Sequence, residues 1–329
     1  MKKLLLILMV LVLMLSASAL AEEPKVTLKI GFSTNAEDPR GLAAVKFKEQ
    51  VEANSNGALT VEIYPAGQLG GDAALIEAMT LDSGEVDIII TDASNFATYE
   101  PKMGISALPF MFAGFDEAWA FMDSEIQAEV EALLLNYNIR TLAHYCNGFR
   151  CVTPSKIEVN TPADMKGMLI RTPENPVIMA TMRALGANPQ PLSFSELYMA
   201  LQQGTYDGQE NPIPVIYNNK RYEVQKYLSI TNHIYSGMQF AIADSTWNKL
   251  SDSQKELVTK AALDSQAYNR ELNRKMTDEY LAELEKAGMT ILRPDLAPFA
   301  EATQVVFTDL TPSYGEDLMT RLQEWLANK

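Results

Sequence analysis

Two stretches of this chain follow one plan. LIEAMTLDSGEVDIIITDASNF (75–96) and LYMALQQGTYDGQENPIPVI (197–216) each read as an amphipathic helix, a closing glycine (Gly84, Gly204), two residues, an aspartate (Asp87, Asp207) and a strand. Glycine takes the left-handed conformation that ends a helix at little cost. Each strand then finishes on polar groups: Thr91, Asp92, Ser94 and Asn95 in the first, Gln209, Glu210 and Asn211 in the second. The correspondence is too loose to count as a sequence repeat. It still restricts the fold, because it predicts two lobes built alike, each directing a polar strand end toward a shared cleft.

The rest of the chain supplies strands and helices in alternation. VTLKIGFS (26–33) alternates as a strand, residues 40–55 have helical spacing, LTVEIYP (59–65) is a strand, and the glycine-rich AGQLGGD opens a helix over 72–83. Short connections between such elements predict a mostly parallel sheet covered by helices, with ligands at the carboxyl ends of the strands. Thr161 caps a short helix that has Pro162 at its first position. MLIRT (168–172) is a strand with Arg171 at its far end, and the helix after it stops near Gly186. Residues 253–287 form a long uninterrupted helix, with Ser253 and Glu256 read as a capping box. At ~50 Å it is long enough to brace both lobes. Residues 295–329 read as helical, anchored by Phe299, Phe307 and Trp325.

The N-terminus bears on location. Lys2 and Lys3 precede an apolar run from Leu4 to Leu15, then small residues and Ala19-Leu20-Ala21. This is the layout of a cleavable export signal, with the mature chain beginning at Glu22. The run is short of the ~20 apolar residues a spanning helix needs. The remaining chain exceeds the size at which one core usually keeps growing, which again favours two lobes. With 27 basic against 42 acidic side chains, nucleic acid is excluded as a partner, since phosphate binding needs a basic face. An anionic small ligand is not excluded, because local arginines override the global field at contact range.

The two cysteines, in HYCNGFRCV (144–152), are Cys146 and Cys151. A bend at Asn147-Gly148 would let them pair in an oxidising compartment, and a straight strand would hold them apart. No cofactor or metal site is indicated: there is no CxxC, and the histidines are His144 and His233, both in strand-like segments and both read as structural. No catalytic motif of the GxSxG, HExxH, P-loop or GxGxxG type is present. Arg171 and Arg150 are sharper candidates, because a guanidinium matches a carboxylate bidentately. Each either clamps a ligand or pairs with an acidic residue of the protein. Asn211 is alternatively a turn residue before Pro212, Asp92 a helix cap, and Phe194 with Tyr198 a piece of core.

The run MKGMLIRTPENPVIMATMRALGANPQPLSFSELYMALQQGTYDGQENP (165–212), with YEVQKYLSITNHIYS (222–236), YPAGQLGGD (64–72) and VDIIITDASNF (86–96), resembles the extracytoplasmic solute-binding proteins of TRAP (tripartite ATP-independent periplasmic) transporters. The likeness covers essentially the whole mature chain. It implies an α/β, two-lobed periplasmic binding protein with a ligand cleft between the lobes and a long helix bracing both. The expected division is 26–147 plus 236–275 for the first lobe and 148–235 plus 276–329 for the second. The resemblance makes Arg171 the principal carboxylate clamp and selectivity filter, Arg150 a second arginine, and Asn211 a donor to the same carboxylate. It places Phe32 and Asn35 after the first strand, Asp92 and Asn95 after the third, and Phe194 against the ligand.

Members of that group that bind sialic acid carry Glu and Arg where this chain has Asp92 and Asn95, which argues against sialic acid. Dicarboxylate members tend to read T-E-N-P and lack the proline after the R-x pair. Gln209 and R-T-P-E-N-P look more like the sugar-acid binders, with Asp92, Asn95 and Gln209 hydrogen-bonding hydroxyls. The resemblance therefore implies a non-enzymatic capture protein for a hexuronate or other sugar acid, with a C4-dicarboxylate or 2-oxo acid as the competitor. It would work in the periplasm with the small and large integral membrane subunits of an ion-gradient-driven transporter. Alternatives are a sensory protein that presents the acid to a receptor kinase, and a periplasmic lyase or isomerase.

Overall fold

The protein is described by a computed structural model over residues 23–328; the expected leader, residues 1–21, lies outside them. The strands are β1 (Val26–Gly31), β2 (Leu59–Tyr64), β3 (Ile88–Asp92), β4 (Ile139–Pro154), β5 (Leu169–Thr172), β6 (Asn188–Pro191), β7 (Gly208–Pro212), β8 (Tyr227–Ala243) and β9 (Thr290–Leu292). They form one sheet in the order β2-β1-β3-β8-β4-β7-β5-β6, with β9 on β8. No helix among the described residues is long and apolar enough to cross a membrane.

The two halves of that order repeat one construction. In the first, β1 runs parallel to β2 and β3, and β3 pairs antiparallel with β8. In the second, β5 runs parallel to β6 and β7, and β7 pairs antiparallel with β4. The aspartates of the repeated plan do the same job in each. Asp87 N donates to Lys29 O and its Oδ2 accepts from Lys29 N, both at 3.0 Å; Asp207 treats Leu169 identically at 2.9 Å. Each carboxylate thus satisfies a backbone N–H of the central strand one residue before its ladder with β3 or β7 begins.

The sheet is mixed rather than mostly parallel, which corrects the expectation from sequence. The cause is the pair of long strands β4 and β8, which run antiparallel to each other from Ile139↔Ala243 to Val152↔Ser229 and belong to both halves. Their ladder shifts register between Thr141 and Ala143, Cys146 and Gly148, and Arg150 and Val152. Bulges of this kind bend a strand and leave backbone groups unpaired. At the central one the helix Asp252–Lys286 supplies the partners. Asn269 Oδ1 accepts from Cys146 N at 2.5 Å, and Asn273 Nδ2 donates to the carbonyls of Cys146 and Asn147, both at 3.0 Å.

That helix is continuous and spans both halves, as its length predicts. Val258, Ala261 and Ala262 pack with Phe47 and Phe240 under the first half, whereas Leu284 packs with Ile213, Ile216 and Met289 under the second. Its cap sits two residues earlier than the sequence suggests: Ser251 Oγ accepts from Gln254 N at 3.2 Å and Gln254 Oε1 accepts from Ser251 N at 3.0 Å. Ser251 is extended, with ψ 165°, while Asp252 and Ser253 already belong to the first turn. On the opposite face one core runs under both halves. The helix Glu316–Ala327, expected with the second lobe, packs there against the first: Trp325 meets Phe112 and Phe121, and Arg321 pairs with Glu129 at 2.7 Å. Cys146 and Cys151 are buried free thiols in different core clusters, held apart because β4 runs through without reversing. Burial pushes them up to about 11 and about 12, so neither is a thiolate at neutral pH.

His144 fastens β4 to two surrounding helical segments, with its ring nitrogens 3.1 Å from Asp123 and 2.9 Å from Glu131. Burial opposes its charged form, but Glu131 and Asp123 outweigh that and push its pKa up to about 9. An unfolded histidine titrates near ~6.5. The contribution is therefore complete below that pH and is lost as pH rises through about 9. Denaturant midpoints of the wild type should fall across this window, and His144→Gln should flatten the slope; parallel slopes in the two proteins would show that the histidine is not charged in the fold.

Candidate ligand-binding site

The register of β4 and β8 sets two groups of strand ends head to head. Asp92, at the end of β3, lies beside Met238, which faces Tyr145; Pro212, at the end of β7, lies beside Arg150. Only the bulged crossing of β4 separates the two. A cleft of about 790 Å³ opens between them, and its inner end narrows to a polar compartment. Asp72, Asn95, Arg171, Pro173 and Phe194 line both parts.

Arg171 ends β5 with 2% of its surface exposed. Its Nε and Nη2 donate to the Leu192 carbonyl at 2.8 and 2.5 Å, which fixes the plane of the guanidinium. Among the described residues no carboxylate lies within ion-pair distance of it. Burial pushes its pKa down to about 9; Glu210 opposes the shift, and Arg150 and Arg221 add to it. The site therefore holds a buried, oriented cation whose charge is not neutralised by a direct partner.

Arg150 has a different status. It lies in β4 at the crossing, forms a two-pronged ion pair with Glu210 (Nε to Oε2, and Nη2 to Oε1 at 2.7 Å), and reaches Asn211 Oδ1 at 3.3 Å and Asp92 Oδ2 at 3.9 Å. Burial works against ionised Glu210, yet Arg150 and then His233 hold its carboxyl below the usual range. Asn211 donates to Gln209 Oε1, and Gln209 Nε2 donates to Thr153 Oγ1 at 2.6 Å. Gln209 is fully buried and lines neither part of the cleft, so it orients Asn211 rather than facing a guest.

From the first half, Asp92 caps the turn Ala93–Thr98 by accepting from Ser94 N at 2.9 Å, and also accepts from Ser236 Oγ. Asn95 lines the cleft, donating to Thr91 Oγ1 at 2.9 Å. Phe194 forms a wall, its ring centroid 5.9 Å from the Arg171 guanidinium. Two expected residues are placed elsewhere. Phe32 is fully buried among Leu28, Ile30 and Phe47, because alternation along β1 turns it into the core. Asn35 lines neither part of the cleft and donates across the seam to Asn218 O at 3.2 Å. Between them Ser33 and Thr34 face the inner compartment, and Thr34 Oγ1 is buried without a hydrogen-bond partner.

Sequence reasoning missed Asp72, which receives Ser33 Oγ at 3.0 Å and Thr91 Oγ1 at 2.9 Å, because an acidic residue at a helix start reads as a cap. It missed Arg40, which reaches Asp38 at 3.1 Å and Asn147 at 2.8 Å. It also missed Asn175, which caps its own helix at Val177 N and Ile178 N while donating across the seam to Ser94 Oγ at 2.6 Å. Of the three arginines lining the inner compartment, Arg40 and Arg150 are paired and Arg171 is not. The arrangement suits a guest with a carboxylate at the Arg171 side and hydroxyls facing Ser33, Thr34, Asp72 and Asn95.

Residues 30–311 match the family described as bacterial extracellular solute-binding protein, family 7. The chain is 32% identical over 309 residues to the sialic acid-binding periplasmic protein SiaP of Vibrio cholerae, covering 94% of this chain and 95% of that one. It is 32% identical over 314 residues to the 2,3-diketo-L-gulonate-binding periplasmic protein YiaO of Escherichia coli, covering 94% of each. The fold superposes with TM-score 0.85 on a TRAP periplasmic solute-binding protein of Roseobacter denitrificans with bound L-galactonate, at 33% identity and covering 92% of this chain and 99% of that one.

The contrast between paired and unpaired arginines is measurable without any ligand. Glu210→Ala strands a buried guanidinium and should destabilise the fold by about 3–5 kcal/mol in denaturant unfolding. Arg171→Ala breaks no internal ion pair and should cost clearly less; the reverse order would mean that Arg171, not Arg150, is the structurally neutralised cation.

Proposed function

Because the chain belongs to the family 7 bacterial extracellular solute-binding proteins of TRAP transporters, we propose that it captures a sugar acid by closing its two lobes on the ligand, with Arg171 as the carboxylate clamp. The observation that carries this reading is the buried Arg171 guanidinium, oriented by the Leu192 carbonyl and lacking a carboxylate partner among the described residues. A buried charge is costly unless paired. A ligand carboxylate supplies the missing partner, so the protein gains stability when it binds.

Asn211, oriented by Gln209, adds a polar contact near the same carboxylate, and Phe194 closes the apolar side. Arg150 shapes the inner compartment, but its own charge is already engaged by Glu210. Hydroxyls of the guest would meet Asn95 together with Asp72, Ser33 and Thr34, which line the inner compartment. This polyol-like wall, the galactonate- and diketogulonate-binding relatives and the sequence features at 92–95 together favour a hexuronate or other sugar acid. In this reading the lobes divide near the β4 crossing and near Ser236, the protein works in the periplasm, and it delivers its guest to the integral membrane subunits of the transporter.

The test is thermal melting of residues 22–329 against hexuronates, aldonates, sialic acid, C4-dicarboxylates and 2-oxo acids, with Arg171→Ala in parallel. One or more sugar acids should raise the melting temperature, and the mutant should lose roughly 10²–10³-fold or more in affinity, as expected for breaking a buried ion pair. Ligand recovered after incubation should be chemically unchanged. A panel in which only dicarboxylates bind would overturn the sugar-acid assignment, and full affinity in Arg171→Ala would overturn the clamp.

A further inference from the structure

Arg221 is a second buried cation on the same side of the cleft. It opens the short turn Arg221–Glu223 with 3% of its surface exposed. Among the described residues no carboxylate lies within ion-pair distance of it, and its Nε is buried with no hydrogen-bond partner. Its guanidinium rests against rings instead, 4.8 Å from the centroid of Phe194 and 6.0 Å from that of Tyr198. Phe194 is the cleft wall that also has Arg171 within 5.9 Å. One aromatic ring therefore carries two guanidinium groups, and neither has a counterion in the described structure.

A ring face attracts a cation, but it does not neutralise one. Two unneutralised charges around one ring repel each other, and that repulsion is felt at Arg171. Such an arrangement is unfavourable in the empty protein and is relieved by any anion that enters beside Phe194. In a partly desolvated site a charge acts over more than contact distance, so Arg221 attracts a bound carboxylate without touching it.

We propose that Arg221 is a positioning residue for ligand capture whose charge, acting from behind Phe194, adds to that of Arg171 in holding the ligand carboxylate. This rests on the reading of Arg171 as the clamp. If Arg221 merely packed Phe194 in place, its contribution would run entirely through that ring.

The experiment is a double-mutant cycle read by calorimetric titration with L-galactonate, L-gulonate or D-galacturonate, whichever the wild type binds tightest. Arg221→Met should weaken binding about tenfold, and the same factor should persist in a Phe194→Leu background. Arg221→Lys, measured at pH 6 to keep the amine charged, should recover most of the loss. Arg221→Gln replaces the methionine variant if ligand-free melting shows that the latter is not folded. Unchanged affinity in Arg221→Met, or a loss that vanishes once Phe194 is leucine, would overturn the proposal. Should the wild type bind neither these three acids nor any other carboxylate of the melting panel, the capture reading falls and this inference with it. Should Arg171→Ala abolish binding while the Arg221 variants match the wild type, this inference alone falls.

Discussion

The antiparallel pairing of β4 with β8 is the constraint on which the rest of the molecule depends. Among the described residues these are the two strands that belong to both halves of the sheet, so their register decides where the ends of β3 and β7 lie relative to each other. A one-residue slip would turn every side chain of a strand to the opposite face. It would send Arg150 away from Glu210 and Tyr145 away from Phe240, with which it now packs at 5.2 Å. The bulge between Cys146 and Gly148 lets the long ribbon bend where the halves meet. Asn269 and Asn273 of the long helix hold that bulge in place by satisfying its backbone.

Charge is distributed around this crossing in two ways. Arg40, Arg150 and Arg270 each have a carboxylate at hydrogen-bond distance and act as structural pins. Arg171 and Arg221 have none among the described residues, and both lie against Phe194. Paired charges maintain a geometry, because removing either partner exposes the other to an unfavourable environment. Unpaired buried charges instead store an unfavourable interaction that a guest of opposite sign relieves. The separation of these roles within one compartment explains why the two arginines singled out from sequence are not equivalent.

Each half contributes a different chemistry to the cleft. The first offers hydroxyls, amides, the Asp72 and Asp92 carboxylates and the internally paired Arg40; the second offers the unpaired Arg171, Asn211 and an aromatic wall. A ligand that bridges them needs a carboxylate at one end and hydrogen-bonding groups at the other. Asn175 and Asn35 already span the seam, from the second half to Ser94 and from the first to Asn218. The two halves thus meet through amide contacts at places separate from the Arg171 guanidinium.

The sequence by itself determined the local elements and the duplicated plan. Gly204 stops its helix in the left-handed conformation, whereas in the first half Asp82, with φ 52°, does so ahead of the expected Gly84; the spacing to Asp87 and Asp207 fixes the start of β3 and β7, and R-T-P-E-N-P identifies Arg171 as a strand-end arginine. These are near-neighbour effects, encoded in residues a few positions apart. Tertiary structure decided what depends on distant partners. Whether an arginine is free or paired turns on a carboxylate 60 residues away, as with Arg150 and Glu210. Whether β4 runs straight or reverses, and so whether its cysteines meet, turns on β8 and the long helix. Which face of β1 meets the core is set by its neighbours, and alternation then turns Phe32 inward and Ser33 toward the cleft. Arg221 carried no local signal, since its significance lies wholly in the ring of Phe194 that folding brings to it.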